Sequence, residues 1–178
     1  MHGLVSLLPQ PYFAQVKALW DELEQDFGLT GIRVTPYPHF SWLIAEDFDW
    51  EKLETTLQQV AAETPLFVAH TTGLALFTGE RPVIYIPVVK TPQLAELHTE
   101  IWTRTAPASF GRSAYYAPEA WMPHVSLAYE DVSPDNVGRV MERLAFRSFN
   151  WEIGVESIAL IYEPTGEIGS LKFKVPLG

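Results

Sequence analysis

Apolar positions in this chain alternate singly in some stretches and recur every three or four residues in others. Gly3–Leu8 is a short apolar run stopped by Pro9, which predicts a strand. From Pro11 to Phe27 the residues Phe13, Val16, Leu19, Trp20 and Leu23 fall at helical spacing, with Gly28 as the stop. Pro38–Ala45 alternates as a strand. Trp50–Ala62 predicts a second helix carrying Leu53, Leu57 and Val60, with Asp49 as its N-cap. Leu66–Phe77 reads as a further strand.

The order then begins again. Val83–Val89 predicts a strand and Pro92–Arg104 a helix with Leu94, Leu97 and Ile101 on one face. Met122–Tyr129 is a strand, and a helix follows near Asp135–Leu144, with Ser133-Pro134 as cap and first position. Phe149–Tyr162 and Ser170–Val175 read as closing strands joined by the turn Glu163-Pro164-Thr165-Gly166.

Pro11, Phe13 and Val16 match Pro92, Leu94 and Leu97 at a shift of 81. Pro38-His39-Phe40-Ser41 matches Pro123-His124-Val125-Ser126 at a shift of 85, and an acidic pair follows each (Glu46-Asp47, Glu130-Asp131). The four extra residues fall in Thr105–Trp121, the longest stretch without clear periodicity. A repeat of about 80 residues is too long for a solenoid unit. It predicts a single two-lobed α+β domain over residues 1–178, with a β-α-β-α-β lobe (about 1–80) duplicated (81–178) and closed on its copy. Two antiparallel sheets would then face each other across a central cleft, with helices outside.

The repeated motif carries the chemistry. Alternate side chains on a strand share a face, so His39 and Ser41 point one way and Phe40 and Trp42 the other. His124 and Ser126 share a face opposite Val125 and Leu127 by the same parity. Lobes meeting across a pseudo-twofold axis would bring two imidazoles and two hydroxyls into one cleft. Hydrolysing a phosphodiester needs a base for the attacking water and an acid for the departing oxygen. Imidazoles titrate near neutral pH and can fill both roles, while hydroxyls can donate to the non-bridging oxygens.

The duplicated Pro-His-x-Ser motifs, their separation and the βαβ-type repeat resemble the two-histidine phosphoesterase superfamily, which includes the LigT-like 2′-5′ RNA ligases and cyclic phosphodiesterases. The resemblance spans nearly the whole chain. It implies a bilobal α+β fold, no metal or other cofactor, and action on 2′,3′-cyclic phosphates or 2′-5′ linkages, with catalysis by His39, Ser41, His124 and Ser126. Three features depart from the pattern, one of them the acidic charge, which differs from that of many relatives that handle RNA. Serine stands in both motifs where threonine is frequent, and Tyr129 stands three places after Ser126 where a basic residue is common.

Composition narrows the partners. With 12 basic against 22 acidic residues the net charge is −10, and no basic run exists to neutralise successive phosphates of a duplex. A small cyclic nucleotide or a short RNA end is the expected partner, without a membrane, for a monomer. There is no cysteine, no basic leader before the short apolar run at the start, and no apolar window of membrane-spanning length, so a cytoplasmic protein is expected. Tyr37, Tyr115, Tyr116, Trp121 and Tyr129 are candidates for stacking a base, and Arg112 for pairing with a phosphate. His98, beside Leu97 on its helix, is expected at a surface or boundary, and His2 is expected to be uninformative. Competing readings are a non-catalytic module that binds a nucleotide or RNA end, and a reversible 2′-5′ RNA ligase.

Overall fold

Four helices form where the apolar stripes fall in the computed structural model, which describes residues 1–178. Helix α1 (Tyr12–Phe27) buries Val16, Leu19, Trp20 and Leu23. It ends on Gly28, whose left-handed φ of 70° lets its N–H bond back to the Glu24 carbonyl. Helix α2 (Trp50–Glu63) starts on Asp49, whose carboxylate accepts from the Lys52 N–H. Helix α3 (Pro92–Arg104) starts on Thr91, whose hydroxyl accepts from the Leu94 N–H.

Helix α4 (Val137–Ala145) begins later than its sequence suggests. The Asn136 side chain accepts from the Ser133 N–H and donates to the Asp131 carbonyl. Those bonds close a turn over the residues that the Ser-Pro signal assigned to the helix start.

The strands in chain order are β1 (His2–Leu7), β2 (His39–Ala45), β3 (Asp47–Phe48), β4 (Phe67–His70), β5 (Ala75–Phe77) and β6 (Val83–Pro87). After these come β7 (Ser109–Phe110), β8 (His124–Ala128), β9 (Glu152–Val155), β10 (Ser157–Tyr162) and β11 (Ser170–Pro176). The first sheet is antiparallel in the order β11-β10-β1-β2. The second contains β5-β6-β8, and the β4-β9 pair extends it through Thr71, which bridges to Val88. Strands β3 and β7 form a short separate pair.

Two predicted strands are each broken. Leu66–Phe77 becomes β4 and β5, interrupted near Gly73, which has φ 65°. Phe149–Tyr162 splits at Glu156 into β9, paired with β4, and β10, paired with β1. The two sheets therefore exchange strands between the sequence halves: the first combines β1 and β2 with β10 and β11. Apolar patterning specifies which face a strand buries, but not which neighbour it pairs with.

Between sheets and helices lies one contiguous core that includes Leu4, Trp42, Leu53, Ile84, Leu94, Val125, Val140 and Ile158. Fully burying each leucine contributes about 1.5–3 kcal/mol. Val5, Ala159 and Ile161 form a second, small cluster under Leu7 and Tyr37. They alternate with Leu4, Ile158 and Leu160 of the main core, so they lie on the sheet face turned away from the helices.

Candidate active site

Each motif strand is held by a neighbour from its own sheet. In the first sheet Val5 pairs with Ser41 and Leu7 with His39; in the second, Tyr85 pairs with Ser126 and Pro87 with His124. Both pairings shift register at the same place. Leu4 and Val5 face Leu43 and Ser41, leaving Trp42 as the extra residue; Ile84 and Tyr85 face Ala128 and Ser126, leaving Leu127. A bulge thus follows each motif serine, at positions related by the repeat. Such bulges turn a strand sharply and re-aim its side chains. Their extra residues, Trp42 and Leu127, are fully buried, while both histidines and both serines are half-buried.

The imidazoles are anchored alike. His39 Nδ1 lies 2.6 Å from the Tyr37 carbonyl oxygen, and His124 Nδ1 lies 2.7 Å from that of Met122. A carbonyl only accepts, so each Nδ1 carries the proton and each Nε2 presents a lone pair. The proline between each carbonyl and its histidine favours the extended backbone that lets the ring fold back to it.

Burial lowers the His39 pKa to about 4, opposed by the Tyr37 carbonyl and reinforced by the charge of His124. Burial also lowers the His124 pKa, opposed by the Met122 carbonyl. The charge of His124 acts on His39, and β2 and β8 run close together. Both shifts favour the neutral imidazole in the free protein.

The surroundings of the two motifs differ. The Ser41 hydroxyl acts on the Tyr116 phenol, and burial pushes the Tyr116 pKa up to about 12. His124 instead meets an aromatic wall, with Phe77 edge-on at 4.9 Å and Tyr85 tilted at 5.1 Å. Two indoles secure the backbone beneath the serines. Trp121 Nε1 donates to the Ser41 carbonyl at 2.9 Å, and Trp20 Nε1 donates to the Ser126 carbonyl at 3.1 Å.

Comparison with known proteins fits this arrangement. A sequence profile of the 2′-5′ RNA ligase superfamily matches residues 13–167. The chain belongs to that superfamily. A protein of Oceanobacillus iheyensis named "Putative phosphoesterase" is 26% identical over 133 residues, covering 73% of this chain and 74% of the relative. One of the same name from Bacillus thuringiensis is 26% identical over 121 residues, covering 66% of this chain and 64% of the relative. Among solved structures, TT0787 of Thermus thermophilus superposes with a TM-score of 0.67 at 18% identity, over 99% of this chain and 97% of that one. Escherichia coli LigT, crystallised with 3′-AMP, superposes with a TM-score of 0.60 at 14% identity, over 99% of this chain and 96% of that one. The fold is the α+β fold of LigT, with antiparallel sheets.

Within this 2′-5′ RNA ligase fold the further candidates separate. Tyr116 reaches Ser41, and Tyr37 supplies the His39 anchor while packing on Val5, Ala159 and Ile161. Tyr129 is half-buried beside Glu130 in the chain, and Glu130 pairs with Arg81 at 3.0 Å. Trp121 cannot stack a base: it is 2% exposed and sandwiched between Trp42 at 5.5 Å and His98 at 3.8 Å. Arg112 is turned toward Trp102. It donates to the Trp102 carbonyl, and its guanidinium lies 3.9 Å from the Trp102 ring centroid. Tyr115 projects into solvent at 83% exposure.

His98 is a correction too. It is 1% exposed, and its Nε2–H donates to the Trp42 carbonyl at 3.1 Å. His2 is also buried, between Trp50 and Tyr162, and its Nδ1 accepts from the Glu163 N–H. Sequence reasoning missed Trp20, Phe77 and Tyr85 as parts of the site. Tyr85 carried a usable signal, since it alternates correctly within Val83–Val89, but its register against Ser126 did not. No group of three or more His, Cys, Asp or Glu is arranged to hold a metal ion.

Proposed function

We propose that this phosphoesterase-family protein hydrolyses a small phosphodiester, a 2′,3′-cyclic phosphate or a 2′-5′ linkage, by acid–base catalysis between His39 and His124. The observation that carries this reading is the matched anchoring of the two imidazoles, each with Nδ1 committed to a carbonyl and Nε2 left to act. The nucleotide held by LigT, 3′-AMP, carries its phosphate where such a reaction would leave one.

A bound phosphodiester monoanion favours uptake of one proton by the imidazole pair. Two adjacent imidazoliums repel, so one ring stays neutral. We assign the proton to His124 and the lone pair to His39, roles that the matched anchoring of the two rings makes exchangeable. His39 Nε2 then takes a proton from water as its oxygen bonds to phosphorus. His124 Nε2–H gives its proton to the departing ribose oxygen as the P–O bond breaks. The product is a phosphomonoester, and a proton transfer between the rings through solvent restores the pair.

Ser41 and Ser126 donate to the non-bridging oxygens. Tyr116, fully protonated at any working pH, donates to Ser41 or to the phosphate. Acid–base assistance of this kind contributes about 10²–10⁴-fold in rate.

The test is product formation from nucleoside 2′,3′-cyclic phosphates, with and without EDTA. Conversion to a monoester, undiminished by the chelator, is expected. Tight binding with no product would favour a nucleotide-binding module instead.

A further inference from the structure

The motif-bearing face of the first sheet continues beyond Ser41. Ser41 pairs with Val5 and Val5 with Ala159, so His39, Ser41, Val5, Ala159 and Ile161 share a face. Counting on by two from Ile161 reaches Glu163, just past the end of β10. Its N–H is fixed by His2, and its Cγ fills the space beside Gly169, where an added Cβ would come within 2.6 Å. The carboxylate is close enough for its charge to act on the phenols of both Tyr116 and Tyr129.

No Lys or Arg forms an ion pair with Glu163. Burial raises its pKa, opposed by the amino group of Met1, the only opposite charge acting on it.

Three cations around the site are already engaged. Arg81 is paired with Glu130, Arg112 lies on Trp102, and Lys90 donates to the carbonyls of Pro118 and Trp121. Lys90 and Arg112 keep their charge, and Lys174, paired with Ala159 in the outermost strand, has no ion pair. The imidazole pair, which holds one proton when a phosphate is bound, is the positive charge supplied at the reacting phosphorus itself. One phosphodiester charge is matched there; a second phosphate placed beside Glu163 would face a carboxylate that has no ion-pair partner.

We propose that the cleft selects phosphodiesters bearing a single negative charge, and that Glu163 sets this limit. Its carboxylate accepts a hydrogen bond from a neutral donor on the rest of the substrate, a hydroxyl or an exocyclic amine, and repels a further phosphate. The substrate class is a nucleoside or polyol cyclic phosphate without additional phosphates, rather than a 5′-phosphorylated or oligomeric end. This deepens the hydrolytic reading above and rests on it for the location of the phosphate.

The experiment compares adenosine 2′,3′-cyclic phosphate with its 5′-phosphorylated counterpart on the full chain and on Glu163→Gln. Both kcat/KM and calorimetric Kd are measured. The wild type should favour the singly charged ligand by about tenfold or more in each. Glu163→Gln should narrow that ratio several-fold by improving the 5′-phosphorylated ligand.

Equal or reversed preference in the wild type, a ratio unchanged by Glu163→Gln, or binding of neither ligand at millimolar concentration would overturn the proposal. Binding with the expected ranking and no turnover of either ligand would leave charge selection standing, and would count against the hydrolytic reading alone.

Discussion

The indole of Trp20, on the first helix, donates to the carbonyl oxygen of Ser126, 106 residues further along the chain. Trp121 makes the reciprocal bond to Ser41. Each motif serine is thus tied through its own backbone to a tryptophan from the other half of the sequence. Placement of the two hydroxyls consequently depends on how the halves pack.

Replacing either tryptophan by phenylalanine keeps most of the apolar contact and removes the donor. An orphaned buried carbonyl costs about 1–3 kcal/mol. Trp121→Phe and Trp20→Phe should each lower the unfolding free energy by that amount in a urea titration. Each should also reduce kcat more than it raises KM. A variant that loses stability with kcat unchanged would show that the indole supports the fold without aligning the serine.

Tyr116 tests whether the two serines are equivalent. Its pKa near 12 keeps it protonated, so it serves as a donor and not as a base. Tyr116→Phe should lower kcat/KM by roughly tenfold, the effect of one lost hydrogen bond to developing charge. The shape of the pH profile should stay the same. Movement of the alkaline limb in this variant would mean that the phenol itself titrates in the reaction.

Acid stability follows from the buried histidines. His98 and His39 both have pKa values near 4 in the folded protein, against 6.5 in the unfolded chain. The unfolded state therefore binds more protons between these values. The stabilisation is complete above pH 6.5 and is lost as pH falls toward 4. For the fully buried His98 the effect is on the order of 3 kcal/mol. Unfolding free energy should fall over this window, and His98→Gln, which keeps a donor for Trp42, should flatten the decline. An equally steep decline in His98→Gln would assign the protons elsewhere.

Turnover should also depend on pH as a bell, because one imidazole must be neutral and the other charged. Both free-protein pKa values are depressed, so the profile of kcat/KM should have its maximum on the acid side of neutrality. Substrate binding raises the pKa of the acid, and the kcat maximum should lie at higher pH. A flat profile from about pH 5 to 9, with chemistry rate-limiting, would contradict the shared-proton scheme.

The parts legible in the sequence were those fixed locally. Alternation assigned Phe40, Trp42, Val125 and Leu127 to the core and turned the histidines and serines the other way. Gly28 and Asp49 marked helix ends by their own backbone and side-chain chemistry. What stayed hidden required knowing a distant neighbour. Nothing near Glu156 signals that the chain leaves one sheet for the other. His98 reads as a boundary residue until the Trp42 carbonyl and the Trp121 ring are placed around it. Glu163 reads as turn material, since its charge reaches Tyr116 and Tyr129 only once three remote segments meet.

The most direct test of the central claim is a double-mutant cycle on the two histidines, read as turnover of adenosine 2′,3′-cyclic phosphate in the wild type, His39→Ala, His124→Ala and the double variant. If both rings serve one phosphorus atom, each single variant loses on the order of 10²–10⁴-fold in kcat and the double variant loses little more. Losses that multiply across the cycle, or a wild type that forms no product, would contradict the account.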